Sequence, residues 1–244
     1  MAKVRWNVIQ KAENEIDIYL YDDIEGDSYD WWNGERIESE TSSKYIKEIL
    51  EKNPNATQIN LYVNSYGGDV KEGLGIYSQL KRHTANKTAY VDGFACSIAS
   101  VICMACNTII MGMNSLLMVH HASMGMYGNA EELRKAANDV EVIDKSSCSS
   151  YLQKAGNKLT EETLKELLDN QTWLSAEDCL KYGLCDEIVG KENTVIETAK
   201  QQYQNFIKQQ VEKNVPTPEV PKKFEEQKSN YEKLKQIFNK KEGI

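Results

Sequence analysis

Histidine is scarce in this chain: His83, His120 and His121 are the only three among 244 residues. Any chemistry that needs an imidazole to move a proton near neutral pH must draw on one of them. Basic charge is short as well. The 29 Lys and Arg against 37 Asp and Glu leave a net charge of -8, which argues against a phosphate-neutralising surface and so against DNA or RNA as partner. The opening stretch MAKVRWNVIQKAENEIDIYLY lacks an apolar core of the kind a secretory signal carries, so the cytoplasm is the expected compartment. No G-x-x-x-x-G-K-[ST] loop occurs, and ATP hydrolysis is not expected of this chain. The most apolar window, GFACSIASVICMACNTIIMGM, approaches the length of a membrane span but carries Asn107 and Thr108 inside it. It reads instead as a small-residue helix from about Cys96 to Cys106 followed by a short strand, and no membrane partner is expected. Cys103 and Cys106 have no second Cys or His pair at ligand spacing, and a buried helix face explains an i, i+3 pair without a metal. Neither metal nor cofactor is expected, and the six cysteines are read as small buried apolar residues rather than disulfides.

What is present is an alternation of strand and helix patterns. IDIYLY (16–21) and QINLYVN (58–64) alternate with period two, and TSSKYIKEILEK between them is a helix capped by Thr41 or Ser42. After the glycine-bearing turn NSYGGD come the helix VKEGLGIYSQLKRH, the strand TAYVDG, the small-residue helix, and strands at TIIM and SLLMVH. A long helix over about 130–152, the helix TEETLKELLDN, a short helix with Ser175 as cap and Gly183 as stop, and the strand CDEIVG complete an α/β domain over 1–190. Residues 191–244 differ in composition. Two polar helical stretches flank the linker VPTPEVP and are expected to form a charged helical tail, partly disordered or serving as a docking helix.

Of the histidines, His83 lies in the polar segment KRHTANK and reads as solvated. His120 and His121 end an apolar strand, where a side chain reaches a cleft. Ser97, in GFACSIAS, opens a helix whose N–H groups favour developing negative charge, and NSYGG offers further free N–H groups after another strand. A serine, an imidazole and free amides together suit acyl transfer. Cys96 is the substitute nucleophile if Ser97 is not one.

The segments YVNSYGGDVKEGLGIY, VDGFACSIASVICMACNTIIMG, NSLLMVHHASMGMYGNAEELRKAA and TWLSAEDCLKYGLCDEI, in order over about residues 14–190, resemble the successive blocks of the ClpP serine peptidases. In style they are most similar to the ClpP-like head-maturation proteases of tailed phages. The resemblance implies the repeated ββα spiral fold shared with crotonases, Ser97 as nucleophile, His120 rather than His121 as general base, and the N–H groups of Gly68 and Ile98 as oxyanion hole. It also implies a protein or peptide substrate, a homo-oligomeric ring in which the long helix (Leu133, Ala136, Ala137, Val140, Ile143) meets a counterpart, and either a separate ATPase unfoldase or a capsid or scaffold precursor as partner. The chain departs from the family at the third triad position, where the expected acid falls on Gln171, with Asp169 two residues earlier as the alternative. A crotonase-like acyl-CoA enzyme and a non-catalytic shell or scaffold component are the rival readings.

Overall fold

Period-two alternation decides which side of each strand meets the core. The computed structural model describes residues 8–12 and 14–190; the expected tail over 191–244 lies outside the described residues. β1 (Val8–Ala12) pairs antiparallel with β2 (Glu15–Leu20), and β2, β5 (Gln58–Ser65) and β6 (Asn86–Cys96) run parallel. Ile16, Ile18 and Leu20, Ile59, Leu61 and Val63, and Ala89 and Val91 all turn to the same side and are buried. Their neighbours in register, Tyr19, Tyr62 and Tyr90, stack on the opposite face with ring centroids 4.7 and 5.0 Å apart. Each isoleucine or leucine removed from water on the core side contributes about 1.5–3 kcal/mol, which makes a one-residue slip of register prohibitive.

The core side is covered by α1 (Ser43–Lys52), α2 (Val70–Arg82) and the short α3 (Ile98–Cys103), which contribute Ile46, Ile49, Ile76, Leu80 and Ile102. Ser42 caps α1 through its side chain, and Asp69 caps α2. The buried Glu72 of α2 accepts from the Ser43 amide at 2.8 Å and its hydroxyl at 2.6 Å, tying the start of one helix to the flank of the other. β7 (Thr108–Gly112) and β10 (Glu187–Val189) extend the parallel sheet beyond β6, while β8 (Leu116–Met118) joins the far end of β6 and pairs antiparallel with β9 (Trp173–Ser175). α4 (Ala130–Ala155) opens on a capping box between Asn129 and Glu132. α5 (Glu161–Asp169) follows it, and α6 (Ala176–Tyr182) starts at a Ser175–Asp178 capping box and stops at Gly183, φ +73°. This is the α/β, mostly parallel arrangement expected of the repeated ββα fold.

Three features differ from the expectation. The helix expected from Cys96 to Cys106 covers only Ile98–Cys103, because β6 continues through Cys96: it leaves β7 after Val91 and pairs β8 from Phe94 to Cys96. A hairpin of β3 (Ser28–Asp30) and β4 (Glu35–Ile37) interrupts the run between β2 and α1, with Trp31 and Trp32 exposed in its turn. β9, three residues long, is too short for its period to be visible in sequence.

Candidate active site

The exchange of partner by β6 builds the site. Beyond the bond that the Ser97 amide donates to the Met118 carbonyl at 2.8 Å, the chain turns sharply into α3. Ser97 takes φ +53°, ψ -129°, a conformation that strains any residue with a Cβ. It occupies the N-cap of α3, yet its side chain makes no capping bond. The hydroxyl instead meets His120: Oγ to Nε2 is 2.8 Å. Leu116, Met118 and His120 share one face of β8 and its continuation, and the Val119 amide between them donates to the Thr172 carbonyl at 3.0 Å.

Two glycines close the other side. Gly67 and Gly68 have φ +101° and +141°, and a Cβ on Gly67 would fall 2.7 Å from that of Ser97. Gly68 lies beside Ile24 in a parallel bridge whose two bonds, Ile24 N–H to Gly67 O and Asp69 N–H to Ile24 O, are both 2.7 Å. That pattern occupies the groups flanking Gly68 and turns its own N–H to the opposite side. Ile98 is the first residue of α3, so its N–H has no carbonyl of the helix within reach. Gly73 permits the close approach of α2 to α3, since a Cβ there would sit 2.0 Å from Ile98 Cγ1. The helix behind the Gly68 turn and the helix behind Ser97 are thereby packed against each other.

The expected third member is placed by register. β8 and β9 pair Met118 with Trp173, and continuing that antiparallel count sets Gln171 across from His120. Gln171 is one of two non-glycine residues at positive φ among the described residues, at +48°, the other being Ser97. Its side chain makes no hydrogen bond to His120. Asp169, the alternative, does not reach His120 either: it accepts from Lys165 at 2.5 Å and contacts His121 Nε2 at 2.9 Å. The physical reason is its place in the last turn of α5, two residues ahead of the position that faces His120. His121 Nδ1 in turn contacts Asp144 of α4 at 2.6 Å. The carboxylates of this region therefore gather on the histidine next to the one that meets Ser97.

The other sequence candidates sort simply. His83 ends α2, where its Nδ1 accepts from the Ala85 amide at 3.2 Å. Cys96 is buried, and burial pushes its thiol up to about 11, so it holds its proton at neutral pH. Cys103 and Cys106 are buried too, and burial raises both thiols, that of Cys106 to about 12. Among the described residues no group of three or more His, Cys, Asp and Glu side chains is placed to hold a metal ion, and no helix is long and apolar enough to cross a membrane. Sequence reading missed an aromatic shelf: Tyr66 and Trp173 each meet Phe94 edge-on, with centroids 5.5 and 5.4 Å apart. Its three members come from separate parts of the chain, and only the meeting of β5, β6 and β9 assembles it. A hydroxyl held on an imidazole, with amides nearby and an apolar wall, is equipped for nucleophilic attack on a carbonyl.

Residues 31–192 match the family model described as Clp protease. The ATP-dependent Clp protease proteolytic subunit 1 of Chlamydia abortus is 28% identical over 187 residues, covering 73% of this chain and 96% of that protein. The ATP-dependent Clp protease proteolytic subunit of Deinococcus radiodurans is 29% identical over 161 residues, 64% of this chain and 78% of that protein. Subunit 1 of Chlamydia caviae is 28% identical over 161 residues. The family match runs without a break through the segments that carry Ser97, His120 and Gln171, and on that extent this chain belongs to the Clp protease family and is a serine-type peptidase.

Proposed function

We propose that the chain is an endopeptidase in which Ser97 is the nucleophile and His120 the general base. The observation that carries this is the 2.8 Å contact between Ser97 Oγ and His120 Nε2. Ser97 Oγ attacks the peptide carbonyl while Nε2 takes its proton; the oxyanion is held by the N–H groups of Gly68 and Ile98. The imidazolium returns the proton to the leaving amine, and a water activated by the same nitrogen then hydrolyses the acyl-enzyme. The test is covalent labelling by a fluorophosphonate, followed by peptide mapping. A phosphonylated Ser97 supports the assignment; an unlabelled protein, or label elsewhere, overturns it and favours a crotonase-like or inert chain.

In this scheme His120 works without a carboxylate of its own, and Gln171 stands where one would serve it. Gln171→Glu is expected to raise kcat by about ten-fold or more, because a negative charge opposite the ring stabilises the imidazolium formed during attack. The acid limb of the rate profile should then move to higher pH, since the charged form of the base is favoured. A Gln171→Glu enzyme with unchanged kcat and unchanged limb would remove Gln171 from the site.

The oligomeric chamber and the biological setting belong to the same proposal. Leu133 and Val142 of α4 are exposed and the buried positions of that helix come only at Ser150, Tyr151 and Ala155, which favours burial of its first half against another copy. Sedimentation at micromolar concentration should therefore give an assembly rather than a monomer. Two settings fit this chemistry: maturation of a phage head, with a capsid or scaffold precursor as substrate, which the style of the sequence blocks suggests, and degradation with a separate ATPase unfoldase, which the names of the ATP-dependent Clp relatives suggest. Neighbouring portal and major capsid genes would support the first; their absence beside an unfoldase gene would support the second. The peptidase domain in this proposal ends near Gly190, so a chain truncated there should remain soluble and assembled.

A further inference from the structure

His121 stands between two carboxylates on two different helices. Its Nδ1 is 2.6 Å from Asp144 of α4 and its Nε2 is 2.9 Å from Asp169 at the end of α5. Ionised carboxylates only accept, so both contacts are hydrogen bonds only when both ring nitrogens carry protons. The second oxygen of Asp144 accepts from the Ala122 amide at 2.9 Å. On the other side of His120, the Val119 amide is held by Thr172. The backbone is thus gripped immediately before and immediately after a residue whose own ring bonds only Ser97 among the described residues. From these contacts we infer that His121 is a positioning residue: as an imidazolium it clamps the chain to α4 and α5 and so aims His120 at Ser97, a task a carboxylate on the catalytic ring would otherwise perform.

The groups facing His121 are Asp144 and, beyond it, Cys148 from α4, and Asp169 with its partner Lys165 from α5. Burial on its own would lower the His121 pKa, but the bonds and charges of Asp144 and Asp169 outweigh it and the net displacement is upward. Cys148 stays a thiol, raised by burial to about 11. The sign follows. Below the raised pKa both bonds stand; as pH climbs through it, the neutral ring donates to only one carboxylate and presents a lone pair to the other. One grip opens, and displacement of a general base by about 1 Å costs about a hundred-fold in rate.

The inference rests on the Ser97–His120 reading, and the experiment separates the two. The rate of Ser97 phosphonylation is followed from about pH 5.5 to about pH 10 in the wild-type protein, His121→Gln and His121→Arg, alongside kcat and KM for a peptide. The wild-type rate should fall at high pH, with the fall coinciding with the His121 ring-proton titration seen by NMR. His121→Gln should be at least about ten-fold slower at neutral pH, in kcat rather than KM, and lack the alkaline fall. His121→Arg keeps a cation that donates to both carboxylates and does not titrate; it should stay within about three-fold of wild type and hold its rate at high pH. A wild-type rate that stays level through the NMR titration overturns the inference even where a variant fails to fold, as does an alkaline fall that persists in His121→Arg. Wild-type protein that takes no label at any pH overturns the Ser97–His120 reading instead.

Discussion

Ser97→Ala is expected to lower peptide hydrolysis by about 10⁴-fold or more and to abolish labelling by a fluorophosphonate, while the protein stays folded. The hydroxyl makes one contact, to His120, and no capping bond in α3, so its loss removes the reaction without removing a support of the helix. His120→Ala should cost a similar factor. The double variant should be hardly worse than either, because a nucleophile and its base act as a unit. A second measurement checks the backbone. Ser97 sits at φ +53°, and Ser97→Gly should melt higher than Ser97→Ala, since glycine relieves a strain of about 1–3 kcal/mol that alanine retains. Near-normal turnover in Ser97→Ala would refute the assignment, and the buried thiol of Cys96 is no ready replacement.

The other large effect is expected from Gly68→Ala. At φ +141° a Cβ would lie 2.2 Å from the Ile24 carbonyl oxygen, a backbone atom fixed by the bond it accepts from Asp69. Neither the turn nor its neighbour yields cheaply, so the variant should lose about 2–4 kcal/mol of stability, read as a lower midpoint in urea. More telling is the folded fraction. With the Gly68 N–H as an oxyanion donor, as proposed, its displacement should drop kcat by about 10²–10³-fold with KM little changed. A folded Gly68→Ala protein with wild-type kcat would show that this amide does not face the reacting carbonyl.

Much of the fold can be read from the chain because its signals are local. Alternating Ile and Leu in 16–20 and 59–63 settle which face of the sheet is dry, whatever the neighbours. Ser175 with Asp178, and Gly183 at φ +73°, bound α6 by rules that operate within one turn of helix. Ser97 and the two glycines stand out for the same reason: a small residue between a strand and a helix, and a Gly-Gly pair after a strand, are local signals of turns that free N–H groups.

Relations across the sheet are another matter. Nothing in 86–106 indicates that β6 gives up β7 for β8 partway along, yet that exchange shortens α3 and carries Ser97 to within 2.8 Å of His120. The third position has the same character. The family resemblance puts the third position on Gln171 with Asp169 as the alternative; the antiparallel register of β8 and β9 sets Gln171 opposite His120, and the final turn of α5 sends Asp169 to His121. His120 and His121 are adjacent in the chain that continues beyond β8, yet one side chain meets a hydroxyl while the other is bound by carboxylates from two helices. Residue type and local pattern determined that this chain carries a serine, an imidazole and free amides on an α/β frame. Which histidine meets the serine, and where the acids go instead, depends on contacts between segments 23 to 48 residues apart, which only the packed sheet and its helices bring together.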